Sequence, residues 1–318
     1  MNKLAILLSN KHRLLSVAAM LDMFETVNNY GIEENGGPFF EISLVRPTDS
    51  DLPGYPGYPA KSFAIAGQQD IILLPAFNNV DPQTAIAENG ESIRWLKNQY
   101  EHGAAIASFC TGAFLLAATG LLNNLPATTH LQAVNAFVKA FPEVRIQPRA
   151  VVTEQDKVYT SGGATSSFHL MLRLVEAYCG RDIAVRAAKY FAIDMDRQQQ
   201  AYINTFFPRR DHGDELVNMV QQKISHSFNK SNTIEELLTE IPASRRNLVR
   251  RFKQATGITP IEYLQKTRIE AAKKLLEQSR QSILEVMLET GYNDLKSFRQ
   301  LFKKNVGLSP KAYREKFN

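Results

Sequence analysis

The stretch Thr233-Ile-Glu-Glu-Leu-Leu-Thr-Glu-Ile-Pro-Ala-Ser-Arg-Arg-Asn-Leu-Val-Arg-Arg-Phe252 returns fifty residues later as Ile283-Leu-Glu-Val-Met-Leu-Glu-Thr-Gly-Tyr-Asn-Asp-Leu-Lys-Ser-Phe-Arg-Gln-Leu-Phe302. Each copy ends alike, in Thr256-Gly-Ile-Thr-Pro-Ile-Glu-Tyr263 and in Val306-Gly-Leu-Ser-Pro-Lys-Ala-Tyr313. Ser244, Leu248, Phe252, Gly257, Pro260 and Tyr263 are answered by Asp294, Phe298, Phe302, Gly307, Pro310 and Tyr313. One structural unit is written twice, and such self-similarity governs the reading of everything around it.

Each copy has helix-turn-helix grammar. Ile234, Leu237, Leu238 and Ile241 follow helical spacing, so a short first helix hides one face. Pro242 or Gly291 breaks it. Ser244 and Asp294 each offer a side-chain oxygen to cap a second helix. That helix buries Leu248 and Phe252, or Phe298 and Phe302, as i, i+4 pairs. Its other face presents Arg245, Arg246, Asn247 and Arg250, or Lys296, Ser297, Arg299, Gln300 and Lys303. Gly257 and Gly307 suit helix C-caps, each followed by a proline. Between the copies, residues 261–278 read as one unbroken helix. A rod of about 18 residues is roughly 27 Å long. It could hold two such helices about one turn of B-DNA apart, roughly 34 Å.

Charge is concentrated in the same region. Residues 216–318 hold 19 Lys+Arg against 10 Asp+Glu, a net +9, which leaves 18 against 22 for residues 1–215. The overall +5 therefore hides a basic tail and a mildly acidic front. A basic helical region with this grammar is the electrostatic footprint of a DNA binder; the competing reading is a solvated charged surface. The segment resembles the tandem helix-turn-helix domain of AraC-type transcription regulators over about 100 residues. The match includes the G-[IL]-[TS]-P-x-x-Y ends and the L-x-x-T-G-Y-x-D turn of the second unit. The resemblance implies a double-stranded DNA operator as partner. Arg246 and Arg250 of the first helix, and Lys296, Arg299 and Gln300 of the second, are then the expected base-edge or groove contacts. Arg and Lys suit guanine, and Gln suits adenine.

At 318 residues the chain has room for two cores. Its two cysteines, Cys110 and Cys179, are far apart and form no C-x-x-C pair, which argues against a disulfide scaffold or zinc site and fits a reducing cytoplasm. The apolar N-terminal run is too short for a signal peptide and reads as a first strand. No apolar run approaches a membrane span, and the histidines do not cluster at metal-ligand spacing. Neither a metal nor another cofactor is expected.

The front half alternates strands and helices. Strands are expected at residues 3–8, 39–45, 70–75, 104–108, 150–153 and 158–160. Helices are expected at 14–28 (stopped by Gly31), 92–100, 111–118, 166–178 and 183–191. Residues 51–59 read as a loop with too many Gly and Pro for regular structure. Asp70-Ile-Ile-Leu-Leu-Pro75 is almost wholly apolar, as in a parallel strand covered on both faces. The class is α/β, a sandwich around a mostly parallel sheet, joined to an all-α tandem helix-turn-helix domain. Residues 205–214 mix Pro, Gly and charges and mark the join, giving domains 1–210 and 211–318. Asp211 or Asp214 is placed to cap the first helix beyond it.

Ser108-Phe109-Cys110-Thr111-Gly112 is the sharpest feature of this half. A buried strand runs into a nucleophilic residue with small neighbours, and a helix starts at once, as in a nucleophile elbow. A thiol at a helix N-terminus is favoured as thiolate by the dipole. His130 follows in Ala127-Thr-Thr-His130. With Thr160-Ser-Gly-Gly163, these residues carry a second resemblance. Residues 3–205 are similar to the ThiJ/PfpI branch of the class I glutamine amidotransferase-like fold, in the version joined to AraC-type regulators (the GlxA family).

That resemblance implies a flavodoxin-like sandwich and a homodimer. It also implies an unidentified small-molecule effector bound near Ser16, Cys110, Thr111 and His130. Enzymes of the superfamily place an acidic residue where this chain aligns Ser16, and protease-like members place a histidine where it has Thr111. Both departures imply a domain that senses and does not catalyse. Three alternatives remain open at this point: a Cys-dependent amidohydrolase- or glyoxalase-like enzyme beside the DNA domain, oxidation sensing by Cys110, and a purely oligomeric front domain.

Overall fold

A computed structural model of the chain describes residues 1–47, 55, 57–78, 82–163, 165–195, 206, 212–230, 233–239 and 241–318. The chain forms two compact units, Met1–Gln200 and Ala201–Asn318. Most of the expected join, residues 205 and 207–211, and most of the expected loop, 51–54 and 56, lie outside the described residues.

The front unit is an α/β sandwich. Its strands are β1 (Asn2–Leu7), β2 (Phe40–Arg46), β3 (Ala60–Ser62), β4 (Ile71–Leu74), β5 (Ala105–Phe109), β8 (Val152–Gln155) and β9 (Val158–Ser161). They form one sheet in the order β3-β2-β1-β4-β5-β9-β8. Every neighbouring pair is parallel except β8 and β9. The apolar runs are explained by the burial of both faces. Successive residues point to opposite sides, so Leu4 and Ile6 enter one core while Ala5 and Leu7 enter the other. The first core is closed by α1 (Leu14–Asn35), α7 (Ser166–Cys179) and α8 (Arg181–Tyr190). The second is closed chiefly by α4 (Gly90–Glu101) and α5 (Ala113–Ala118). The short elements α2 (Phe63–Ala66), α3 (Pro82–Glu88), α6 (Val134–Ala140) and the separate pair β6 (Pro126–Ala127) and β7 (Arg145–Ile146) complete it.

One local expectation is corrected. Gly31 does not end α1. The helix continues to Asn35 and is capped by Gly36, whose φ of 73° is left-handed. Gly31 is there for space. A Cβ on it would lie 2.8 Å from the Gly37 carbonyl oxygen and 2.8 Å from the Phe39 ring. The missing side chain lets the returning strand cross the helix.

The back unit consists of α9 (Glu215–Ser227), α10 (Ile234–Leu238), α11 (Arg245–Thr256), α12 (Pro260–Gln278), α13 (Ile283–Glu289), α14 (Leu295–Val306) and α15 (Pro310–Phe317). It has two cores. Leu248, Phe252 and Tyr263 sit in one, and their counterparts Phe298, Phe302 and Tyr313 in the other. Helix α12 serves both, giving Tyr263 and Leu264 to the first and Ile269, Ala272 and Leu276 to the second. Among the described residues, no helix is long and apolar enough to cross a membrane.

Candidate nucleic-acid interface and the Cys110 elbow

Helices α11 and α14 are twelve residues each and are built by the same local chemistry. Ser244 accepts the Asn247 backbone N–H, and Asp294 accepts that of Ser297. Gly257 (φ 80°) and Gly307 (φ 91°) close them in the left-handed region, and Pro260 and Pro310 start the next helices. The recurring Phe–Tyr contacts (Phe252 with Tyr263 and Phe302 with Tyr313) fix the buried side at centroid separations of 5.3 and 5.6 Å. The opposite side is therefore presented outward.

On α11, Arg245, Arg246 and Arg250 are exposed and Asn247 is half-buried. With Val249, Lys253 and Gln254, the three arginines line one shallow cleft. Arg250 donates through Nη2 to Asn247 Oδ1 at 3.1 Å, which holds its guanidinium against the helix. Arg245 is paired with Glu235 of α10 at 2.5 Å. On α14, Lys296, Ser297, Arg299, Gln300 and Lys303 are all exposed. Helical spacing alone did not single out Val249, Lys253 and Gln254. The fifty-residue offset that pairs Lys253 with Lys303 was the signal available for the second of these.

In the front unit the elbow is strained. Cys110 has φ 57°, a region that L residues with a side chain rarely occupy. A one-turn 3-10 segment, Cys110–Gly112, precedes α5. The residue after next must be glycine, because a Cβ at Gly112 would lie 2.6 Å from the Leu74 carbonyl oxygen and 2.9 Å from that of Pro75. The expected thiolate bias is overturned. Cys110 is 8% exposed, and burial pushes its thiol up, outweighing the opposing pull of the Thr111 N–H, the Arg13 charge and the Thr111 hydroxyl.

The other expected pocket residues hold backbone. The Ser16 hydroxyl accepts the Ala76 N–H at 3.1 Å. The Thr111 hydroxyl accepts the Phe77 N–H at 2.9 Å and donates to the Phe77 carbonyl at 3.0 Å. Both therefore grip the turn that leaves β4. His130 Nδ1 accepts the Gln132 N–H at 3.2 Å, and its ring abuts the Gly163 backbone. Burial, then the Arg13 charge, lowers its pKa and so favours the neutral ring. No hydrogen bond joins Cys110 to His130 among the described residues. The two threonines before His130 are structural: Thr128 N–H donates to Thr160 Oγ1, and Thr129 Oγ1 donates to the Cys110 carbonyl at 2.9 Å.

Arg13 was not anticipated. Its backbone N–H donates to the Ala76 carbonyl at 2.7 Å, and its charge acts on both Cys110 and His130. Ser16, Arg13 and Ala76 thus lie at the carboxyl ends of β1 and β4, where the strand order reverses. Open α/β sheets take their ligands at such a point. No group of three or more His, Cys, Asp or Glu able to hold a metal ion occurs among the described residues.

Comparison with known proteins agrees with both halves. Residues 237–316 match the helix-turn-helix domain description, and residues 58–177 match the DJ-1/PfpI family. The HTH-type transcriptional regulator GbdR of Pseudomonas aeruginosa is 26% identical over 233 residues, covering 71% of this chain and 61% of that protein. The chain therefore spans about three fifths of that relative's length. The HTH-type transcriptional regulator GlxA of Rhizobium meliloti is 25% identical over 247 residues, covering 73% of this chain and 74% of that protein. A crystal structure of an AraC family transcriptional regulator from Pseudomonas putida aligns with a TM-score of 0.50 and 18% identity. It covers 60% of this chain and 100% of that one, a likeness of fold. The doubled unit, the elbow and these matches agree that the chain joins a DJ-1/PfpI domain to an AraC-type helix-turn-helix domain.

Proposed function

We propose that this protein is a sequence-specific DNA-binding transcription regulator, acting as a homodimer in the cytoplasm and controlled by a small metabolite bound in the front unit. One observation carries the reading: two identically built helices, α11 and α14, each turn an exposed polar and cationic face away from their own core. Relatives named as HTH-type transcriptional regulators support it. Arg246, Arg250, Lys296, Arg299 and Gln300 are the proposed groove contacts, and Arg245, Asn247, Ser297 and Lys303 flank them. Basic side chains supply affinity through phosphate, and bidentate side chains supply specificity at base edges.

The effector site proposed for the front unit is the end of the sheet around Ser16, Cys110, Thr111 and His130, with Arg13 beside it. The buried Cys110 thiol and the hydroxyls committed to backbone favour a binding role over a nucleophilic one. Ligand control requires different effector affinity in the two DNA-binding states.

Selection from a random-sequence DNA pool by the full chain tests the first part. Enrichment of one motif that survives heparin competition supports it, and uniform binding that heparin abolishes defeats it. A thermal-shift screen of metabolites tests the second. A ligand that raises the melting temperature with saturation supports sensing, and a Cys110→Ala variant that loses a hydrolytic or glyoxalase-like turnover would instead establish an enzyme.

A further inference from the structure

Helix α12 carries a buried cation at the point where it passes from one helix-turn-helix core to the other. Arg268 is 5% exposed, and it lies between Leu264 of the first core and Ile269 of the second. Its Nε donates to the Phe228 carbonyl at 2.8 Å. Phe228 is the C-cap of α9, so the cation meets the negative end of that helix. On another side its Cζ stands 5.3 Å from the centroid of Tyr292. Tyr292 belongs to the turn of the second unit. One side chain thus touches an element of each module.

The backbone closes the same joint. Gly291 ends α13 with φ 83°, and a Cβ there would lie 3.0 Å from the Phe228 carbonyl oxygen, 3.0 Å from the Asn229 Cα and 3.1 Å from Arg268 Nε. The turn of the second module is therefore pressed directly onto the end of the first module's leading helix. The glycine has two reasons to be there, a left-handed φ and this contact.

We infer that Arg268, seated between Phe228 and the Gly291–Tyr292 turn, is the positioning residue that sets the separation and phase of α11 and α14, and so the spacing between the two DNA elements the protein reads. Helix α12 alone fixes a length. It also packs into both cores, and a donor bound to one module beneath an aromatic ring of the other adds a direct tie across the joint. Arg268 touches no DNA in this role; it acts through the two recognition helices. The inference rests on the proposed DNA-reading function for its consequence and on the protein alone for its geometry.

The test separates the two. A keto-bearing unnatural amino acid at Gln254 and Lys304 of the full chain, spin-labelled, reports the distance between the helices with both native cysteines left in place. The wild type gives one narrow distance peak. Arg268→Met, which keeps the stem and loses the donors, broadens it. Arg268→Lys, which keeps a cationic donor, restores it. Gly291→Ala shifts it, and this arm decides if Arg268→Met fails to fold. A broad wild-type distribution overturns the joint, as do Arg268→Met and Gly291→Ala distributions that match the wild type. In random-pool selection the wild type recovers paired elements at one spacing and Arg268→Met accepts several. A wild type that selects no sequence overturns the DNA reading, and the distance measurement still decides the joint.

Discussion

Arg251 grips Asp214 with both prongs of its guanidinium, Nε donating to one carboxylate oxygen at 2.9 Å and Nη2 to the other at 2.7 Å. The same carboxylate accepts the Val217 N–H at 3.1 Å and caps α9. One acid therefore caps the first helix of the back unit and holds α11 to it. This is why Arg251 turns toward Asp214 while Arg246 and Arg250 on the same helix face out.

Asp214→Ala removes the cap and the grip together. It should destabilise the back unit by about 1 kcal/mol for the cap, and Asp214→Ser, which can still cap, by less. Arg251's hydrogen bonds hold the Asp214 carboxyl below its ordinary pKa. A depressed folded pKa stabilises above the unfolded value of about 3.9. That contribution is lost as pH falls through the lower folded value. Urea titrations from pH 6 down to 3 check this: the stability gap between wild type and Asp214→Ser should narrow on acidification, and a constant gap contradicts it.

Arg250→Ala should weaken binding to a selected operator by about 1–3 kcal/mol if the side chain reads a base. Asn247→Ala releases the Arg250 guanidinium and should cost less, because the cation remains. Fluorescence anisotropy on selected and scrambled duplexes decides. Equal losses on both assign Arg250 to phosphate.

Alkylation of Cys110 at pH 7 should be slow and should accelerate as pH rises past the ordinary thiol range, because burial raises the thiol pKa. Cys179, pushed up to about 12 by burial, should react no faster. Mass spectrometry after timed iodoacetamide treatment reads both sites. Rapid modification of Cys110 at neutral pH would revive the nucleophile.

Gly112→Ala should destabilise the front unit by about 1–3 kcal/mol, since the added methyl meets backbone carbonyls of β4 and not side chains that can turn away. Gly120→Ala is the contrast. No atom lies within 4 Å of its Cβ, and its cost is only that of a left-handed φ of 82°. Melting temperatures for the two are the measurement, and equal, negligible shifts would show that the β4 turn yields.

Much of the fold was legible because its signals act over short distances. The caps at Ser244 and Asp294, the left-handed glycines at 257 and 307, and the i, i+4 pairs Leu248–Phe252 and Phe298–Phe302 concern neighbours within about one turn. The repeat then supplied each signal twice. The apolar runs of β4 and β5 told of a sheet covered on both faces for the same local reason. Gly31 shows where this logic fails. Local propensity marks glycine as a stop, and packing against Phe39 kept it inside a helix.

By itself, the sequence determined the doubled helical unit, the parallel sandwich, the elbow at Cys110 and the outward cationic faces, because periodicity and capping are written in adjacent residues. Only the tertiary structure decided that Arg251 turns toward Asp214, that Ser16 and Thr111 spend their hydroxyls on the turn after β4, that Cys110 is too buried to ionise readily, and that Arg268 and Gly291 meet the end of α9. Each of these depends on which distant backbone arrives beside a side chain, and chain segments from 34 to more than 60 residues apart in sequence carry no local mark of that meeting.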